Sequence, residues 1–257
     1  YPNYKANRAN KTAFNRYQEF ASLEDESASM KKQFGRLAQY LNCLPITTIS
    51  VDNVEADDIM AYIANELYTE KENRATIVST DRDFLQLVNN RISVWSPIKK
   101  KLYTPSLMKE EFGFSPENYL LYRTFIGDKS DNIPGIKGVG PKSLIKHFPI
   151  ICEDREITVD EIVEYADNVD KKYKVHETVL QNKETLQLNY DLMQLKEVNI
   201  HGGAKMLTLD KVKGKVDRTN TYEFKKMFMA DKMYTVIKDL DSWLHTSFNA
   251  LNAYTSL

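Results

Sequence analysis

The chain has few of the residues that mark several common classes of protein. It has two cysteines, Cys43 and Cys152, which are too few for a disulfide framework, and it lacks the CxxC and CxxxH spacings of a structural zinc site. Its apolar runs are far shorter than the roughly 20 residues that a membrane-spanning helix needs. We therefore expect reduced thiols in a cytosol-like compartment and no membrane partner.

Histidine is also scarce, and its four copies lie far apart, so no Ser/His or Cys/His nucleophile pattern is present. The length of 257 residues allows one large domain or two small ones, and 42% hydrophobic with 28% charged residues is typical of a globular protein. The net charge of −1 hides an uneven distribution, because residues 1–16 carry bases without acids and residues 129–146 carry four lysines against one aspartate.

What the chain does have is three clusters of carboxylates. The first contains Glu55, Asp57 and Asp58, the second Asp81 and Asp83, and the third Asp128 and Asp131. Seven carboxylates would repel one another without a counter-charge, and hard divalent cations such as Mg²⁺ prefer oxygen ligands. Two such ions about 4 Å apart can hold the attacking and leaving oxygens of a phosphodiester. Together the clusters favour a metal-dependent nuclease, although each alone could serve only as a helix cap or a turn.

The apolar pattern predicts alternating strands and helices in the first part of the chain. Strands are predicted at 46–51, 75–79 and 92–95, with a short edge strand at 101–103. This alternation indicates a largely parallel sheet, whose ligands bind beyond the carboxyl ends of the strands. Because the first two acidic clusters follow the strands at 46–51 and 75–79, we expect them to meet at one sheet edge.

Helical periodicity dominates the remaining segments. Helices are predicted at 27–41, 59–67, 84–88, 105–112, 116–125, 141–147, 160–166, 175–188 and 221–251, and a basic loop is predicted at 202–218.

A glycine-rich loop followed by lysines indicates contact with a nucleic-acid backbone. Its residues are Gly135, Lys137, Gly138, Gly140, Lys142 and Lys146, with Pro141 opening the next helix. Glycines let the backbone approach a phosphate, and the lysines add positive charge. The alternative is an ordinary glycine turn.

Near the start of the sequence, an aromatic ring stands beside two cations. Tyr4, Lys5 and Arg8 suit stacking and charge contacts with unpaired nucleic acid, although a solvated basic helix start would look the same.

Taken together, segments 54–58, 79–83 and 126–140 resemble the signature of the 5′-nuclease superfamily. That superfamily includes flap endonucleases, the 5′-nuclease domain of bacterial DNA polymerase I, and phage 5′–3′ exonucleases with ribonuclease H activity. Segment 2–8 resembles the family's basic segment at the base of a helical arch. The resemblance covers about residues 1–150.

This resemblance implies an α/β fold with a PIN-like, mostly parallel sheet flanked by helices. It implies a nuclease core at 1–113 and a helical region at 114–257, with a helix–three-turn–helix at about 118–148. It assigns Glu55, Asp57 and Asp58 to a first metal site and Asp81, Asp83, Asp128 and Asp131 to a second. Lys5, Arg8, Asp128 and Asp131 would be catalytic. The cofactor would be two Mg²⁺ ions, replaceable by Mn²⁺, and several members also hold K⁺ at the helical motif.

The implied function is that of a structure-specific 5′ nuclease in DNA replication and repair. Its partners would be branched or flapped DNA, RNA–DNA hybrids, and a polymerase or single-strand-binding protein. It would act as a monomer in the cytoplasm of a bacterial or phage-infected cell. The family has two further aspartates that would precede Tyr4, so we expect the chain to be N-terminally incomplete. A non-catalytic scaffold for branched DNA therefore stays open. A PIN-like ribonuclease is a further alternative, although the glycine loop argues against it.

Overall fold

The computed structural model describes Tyr4, Lys5 and residues 18–255, so the predicted DNA contact Arg8 lies outside the described residues. The contacts divide the chain into two compact units. Unit 1 comprises Tyr1–Asn10 with Asn53–Ile200, and unit 2 comprises Lys11–Asp52 with His201–Leu257.

Unit 1 contains a small mixed sheet. Its strands are β1 (Ala75–Val78), β2 (Ile92–Ser96) and β3 (Lys101–Tyr103), in the order β1-β2-β3. β1 and β2 are parallel, with Ala75 opposite Ile92, whereas β2 and β3 are antiparallel. Along β2, Ile92, Val94 and Ser96 are buried and the residues between them are less so, as expected for one face of a strand. The predicted strands at 75–79, 92–95 and 101–103 are thus confirmed.

The strand predicted at 46–51 is wrong. No described strand pairs with this segment, and the N–H of Ile46 donates to the carbonyl of Leu44 at 2.8 Å instead. Ile46 is also 37% exposed. β-branched residues favour a strand only where a neighbour completes the ladder and covers the side chains. The Glu55–Asp58 cluster therefore follows a turn at Asn53, where φ is +59°, and not a strand.

Helices build the rest of unit 1. They are α2 (Ala56–Tyr62), α3 (Pro105–Phe112), α4 (Tyr119–Ile126), α5 (Pro141–His147), α6 (Val159–Asn168), α7 (Lys174–Gln181) and α8 (Lys183–Met193). A π-helical turn extends α2 over Ile63–Leu67, and 3₁₀ turns lie at Asp83–Leu87, Pro116–Asn118 and Pro149–Cys152.

Local chemistry explains where several of these helices begin and end. The side chain of Thr104 caps α3, Pro105 occupies its first turn, and Gly113 ends it at φ +82°. A reciprocal capping box of Thr158 and Glu161 starts α6.

The single helix predicted at 175–188 is wrong, because α7 and α8 are separate. The side chain of Asn182 donates to the carbonyl of Thr178 at 2.7 Å, which competes with the helical ladder at the break.

The main apolar core of unit 1 lies among α4 to α8. Its largest fully buried side chains include Phe125, Leu144 and Phe148, and α4 packs along α8. The buried Asn189 on α8 donates to the carbonyls of Thr124 and Pro134, at 2.9 and 2.8 Å. This side chain therefore ties the glycine loop to α4.

Unit 2 is helical in its described residues. Its helices are α1 (Leu23–Leu41), α9 (Gly202–Lys213), α10 (Thr221–Ala230) and α11 (Leu240–Asn252), with a 3₁₀ turn at Met233–Thr235. Their core is formed by Tyr40, Cys43, Phe224, Phe228 and Leu244, so α1 shares a core with the two last helices.

Two predictions in unit 2 are wrong. The predicted basic loop at 202–218 is mostly helix α9, which the imidazole of His201 caps at the N–H of Ala204. Its apolar residues form no single stripe, so periodicity gave no signal. The helix predicted at 221–251 is two helices, interrupted by Lys232 at φ +55°.

No helix in the described part of the chain combines the length and apolar character that a bilayer span requires.

Candidate functional site

Six of the seven predicted metal-binding carboxylates line one pocket of unit 1. The pocket has a volume of about 780 Å³, and its acids from this set are Glu55, Asp57, Asp58, Asp81, Asp83 and Asp131. Tyr4 and Lys5 also line it. So do Asp191 and Asn199, which no sequence motif singles out and which reach the pocket only through the fold. Acids of all three clusters thus share one pocket, whereas the sheet-edge argument predicted this only for the first two.

Three different segments deliver these acids. Glu55 immediately precedes α2, and Asp57 and Asp58 lie in its first turn. Asp81 follows the carboxyl end of β1, as sheet geometry predicts for a ligand-binding residue. Asp131 belongs to the glycine-rich loop after α4.

In the first cluster, Glu55 does not cap α2, because its carboxylate pairs with the ammonium group of Lys5. Asp57 accepts a hydrogen bond from the N–H of Asp58 at 3.1 Å. Burial raises the pKa of Asp58, and the negative charges of Asp57 and Glu55 add to this effect. A nearby cation would reduce this electrostatic repulsion among the carboxylates.

One arginine joins an acid of the second cluster to an acid of the third. The guanidinium of Arg123, on α4, donates through Nε to Oδ1 of Asp83 at 2.8 Å and through Nη2 to Oδ2 of Asp128 at 2.7 Å. Burial raises the pKa of Asp83 to about 6, although Arg123 acts in the opposite direction. Burial also acts to raise the pKa of Asp128, but hydrogen bonds from Ser130 and the charge of Arg123 hold it below its ordinary value.

Asp128 is therefore placed differently from the other six acids. Its carboxylate is engaged by Arg123 and by the N–H and hydroxyl of Ser130, at 2.7 and 2.6 Å, and it is not among the described lining residues of the pocket.

The donor chemistry of the pocket fits a hard divalent cation, because the side chains offered are carboxylates. Within the described ranges, no three His, Cys, Asp or Glu side chains converge on one point as a coordination shell. Positive charge comes instead from Lys5 at Glu55 and from Arg123 at Asp83 and Asp128.

The glycine loop is built by close backbone contacts. Gly127, at φ +71°, lies against Gly135, and a Cβ on Gly135 would overlap the carbonyl of Ile126. Asp128 and Ile133 exchange two backbone hydrogen bonds, at 2.9 and 2.7 Å. The loop is thereby held in one shape.

The predicted DNA-binding residues of this loop face outward. Lys137, Lys142 and Lys146 are exposed, and no atom lies within 4 Å of the position that a Cβ would take on Gly138 or Gly140. The loop thus presents open backbone beside three cations.

Lys5 links the basic N-terminal segment to the acid pocket. Its N–H donates to the carbonyl of Asp131 at 3.0 Å, and its ammonium lies 4.7 Å from the centre of the Tyr4 ring. Burial acts to lower the pKa of Lys5, but Glu55 and Tyr4 raise it above its ordinary value, so Lys5 is cationic at neutral pH.

Two family models match the sequence. Residues 1–113 match the 5′–3′ exonuclease N-terminal resolvase-like domain, and residues 114–215 match the 5′–3′ exonuclease C-terminal SAM fold.

Similar proteins include a 5′–3′ exonuclease of Aquifex aeolicus, which is 28% identical over 82% of this chain and 68% of its own length. The thermostable DNA polymerase I of Thermus thermophilus is 32% identical over 64% of this chain. This chain spans only 19% of that polymerase.

Solved structures share the fold. The bacteriophage T5 5′-exonuclease with bound divalent metal ions (zinc) has a TM-score of 0.58 at 22% identity, over 90% of this chain and 77% of that one. A T5 flap endonuclease in a pseudo-enzyme–product complex with DNA and metal ions has a TM-score of 0.55 at 22% identity, over 93% and 78%.

Proposed function

This chain belongs to the 5′–3′ exonuclease family, and we propose that it is a divalent-metal-dependent, structure-specific 5′ nuclease. The observation that carries the proposal is the single pocket in which six motif carboxylates lie beside Lys5. Such a pocket concentrates the oxygen donors for hard cations next to a positive charge that suits a phosphodiester. We propose a nuclease core at 1–113 and a helical region at 114–257, supported by family matches that meet at the same boundary.

We propose separate metal-binding and phosphate-binding roles for the acidic and basic residues of the motifs. Glu55, Asp57 and Asp58 would hold one ion, and Asp81, Asp83, Asp128 and Asp131 a second. Bound Mg²⁺, or Mn²⁺ in its place, would stabilise charge on the phosphate and lower the pKa of water. Lys5, and with it Arg8, would offset charge on the scissile phosphate. Because Glu55 neutralises Lys5 in the structure, a phosphate would have to compete with that carboxylate for the ammonium.

The glycine loop would hold the substrate. We propose that Gly135, Gly138 and Gly140, with Lys137, Lys142 and Lys146, contact a duplex backbone without reading its sequence. K⁺ would bind near this motif, and Tyr4 would stack on unpaired bases. The substrates would be branched or flapped DNA and RNA–DNA hybrids, processed beside a polymerase or single-strand-binding protein. We further propose a monomer that acts in the cytoplasm.

The second candidate function is a scaffold that binds branched DNA without cutting it. One observation favours it, namely that Lys5 and Arg123 pair with Glu55, Asp83 and Asp128, and that the described acids are not arranged as a coordination shell. A labelled 5′-flap duplex incubated with the chain and Mg²⁺ or Mn²⁺ separates the two, since the scaffold would bind it and leave it intact.

The catalytic assignment is tested by Asp131→Asn. This change removes a charge from the acid pocket while keeping the shape of the side chain, so we expect cleavage of the flap to fall at least 100-fold with duplex binding retained. Asp160→Asn is the control, because Asp160 is an exposed acid on α6, outside the pocket. Full cleavage by Asp131→Asn would remove this residue from the metal site.

The proposed DNA anchor is tested by Lys142→Ala. Loss of one phosphate contact should weaken duplex binding and reduce the slope of log K against log salt by about 0.9. Lys71→Ala, which removes an exposed lysine outside the loop, should leave the slope unchanged. Equal slopes for wild type and Lys142→Ala would show that this lysine does not neutralise a phosphate.

A further inference from the structure

Arg123 is a buried cation that the sequence motifs do not include. It lies on α4 among apolar neighbours and is only 9% exposed. Its side chain bonds both Asp83, after β1, and Asp128, in the glycine loop, so it joins two segments that are distant in the sequence. A weaker contact reaches the carbonyl of Gly127 at 3.4 Å.

The geometry of these bonds depends on the guanidinium fork. Nε serves Asp83 at 2.8 Å and Nη2 serves Asp128 at 2.7 Å, and both distances are typical of charge-assisted hydrogen bonds. A lysine ammonium is a single point charge on a flexible stem and cannot fix two carboxylates in a defined mutual orientation. The arginine therefore sets the position of both acids, and not only their charge balance.

A purely stabilising role explains this triad poorly. Desolvating a guanidinium and two carboxylates costs free energy that their attraction often fails to recover, and apolar side chains of similar volume are frequently as stable. The side chains of Arg123, Asp83 and Asp128 are only 11, 19 and 20% exposed, so this penalty applies here. The arrangement instead achieves a defined placement of the two acids.

After pairing with the arginine, each of the two carboxylates still has an oxygen lone pair that could bind a metal ion. It takes Oδ1 of Asp83, and the other oxygen of that carboxylate has no hydrogen bond within the described part of the chain. Asp83 lines the acid pocket. At Asp128, Oδ1 accepts both the N–H and the hydroxyl of Ser130, whereas Oδ2 accepts one hydrogen bond from the arginine and keeps a second lone pair.

We propose that Arg123 is a positioning residue for the second metal site, which presents Asp83 and Asp128 to a divalent cation in a fixed orientation. The inference rests on the proposed function, because it assumes that these acids bind metal. It adds an arginine to a set that otherwise consists of carboxylates.

Direct measurement of Mn²⁺ binding tests the role without relying on activity. Free Mn²⁺ is followed by electron paramagnetic resonance during titration of the full chain, in wild type, Arg123→Met, Arg123→Lys and Asp131→Asn. Arg155→Met is the matched control, because Arg155 also bridges two acids, Glu153 and Glu161, away from the pocket.

We expect Arg123→Met to weaken Mn²⁺ binding at least ten-fold. Arg123→Lys should recover part of that loss, since lysine restores the positive charge but not the two guanidinium donors that hold both acids. Arg155→Met should bind as wild type does. Unchanged or tighter Mn²⁺ binding by Arg123→Met would overturn the proposal. Arg123 would then have no effect on the affinity for Mn²⁺, or would compete with the metal for the carboxylates.

Three further outcomes are decisive. If circular dichroism shows that Arg123→Met does not fold, Arg123→Lys decides, and wild-type affinity in that variant overturns the proposal. If wild type itself binds no Mn²⁺, the proposed function fails together with this inference. If wild type binds, Asp131→Asn binds weakly and Arg123→Met binds normally, only the role of Arg123 fails.

Discussion

At the scale of single residues, charge balance in unit 1 rests on cations that approach the acids from other segments. Lys5 pairs with Glu55, and the single positive charge of Arg123 is shared between Asp83 and Asp128. The acids were predictable from the sequence, because their spacing matches a family motif. The role of Arg123 was not, because a lone arginine in an apolar helix gives no local signal and its partners are set only by folding.

The buried carboxyl of Asp83 predicts a pH dependence of stability. Burial raises its pKa from an ordinary value near 3.8 to about 6, so between these values the folded chain binds the proton more tightly than the unfolded chain. In chelator-treated protein, its contribution to the free energy of unfolding should therefore be greatest below about pH 4. That contribution should fall as the pH rises to about 6, by at most about 3 kcal/mol.

Asp83→Asn should remove this component, so the difference in unfolding free energy between wild type and variant should change across this pH range in urea titrations. Asp160→Asn provides the comparison at an exposed acid. Parallel pH profiles for wild type and Asp83→Asn would contradict the raised pKa.

At the scale of elements, short-range chemistry predicted some structures and failed for others. The helix at 105–112 was predictable because Thr104, Pro105 and Gly113 mark both of its ends. The strand predicted at 46–51 does not form, because a strand needs a neighbouring strand to pair with. The residue composition of a single segment does not show whether such a neighbour exists. Helix α9 was missed because its apolar residues are spread around its circumference.

Alanine substitutions in the glycine loop should lower the free energy of unfolding by different amounts at different positions. Gly135→Ala should destabilise the protein by more than about 2 kcal/mol, because its Cβ would meet the backbone of Ile126 and Phe125, which cannot move aside cheaply. Gly138→Ala should cost about 1 kcal/mol, since φ is +84° but the surrounding space is empty.

Gly140→Ala is the control in this series. Its φ of −107° suits any residue, and no atom lies near the added Cβ, so its unfolding free energy should match wild type. Urea titrations of the three variants check the order, and a similar cost at all three positions would refute the close approach at Gly135.

At the scale of the whole molecule, each compact unit is assembled from separate stretches of sequence. Unit 2 combines Lys11–Asp52 with His201–Leu257, and its core joins Tyr40 of α1 to Phe228 of α10. Arg36 and Tyr40 also bond the carboxylate of Asp231, at 2.7 and 2.8 Å. These two stretches should therefore unfold together.

Phe228→Ala tests this shared core. Phe228 is 2% exposed, and its truncation should cost about 3–5 kcal/mol. Hydrogen exchange should then show lost protection in α1 as well as in α10 and α11. Met229→Ala, at an exposed position on the same helix, should change little. Loss confined to α10 and α11 would show that α1 is stabilised separately.

The sequence by itself determined the acidic motifs, the glycine–lysine loop and several helix ends, such as those of α3 and α5, because these depend on residue type and spacing within a few positions. Only the tertiary structure decided that six of the motif acids share a pocket with Asp191, that Arg123 joins Asp83 to Asp128, and that residues 46–51 are not a strand. Those features depend on which distant segments meet, and burial then sets the charge state of each group that they bring together.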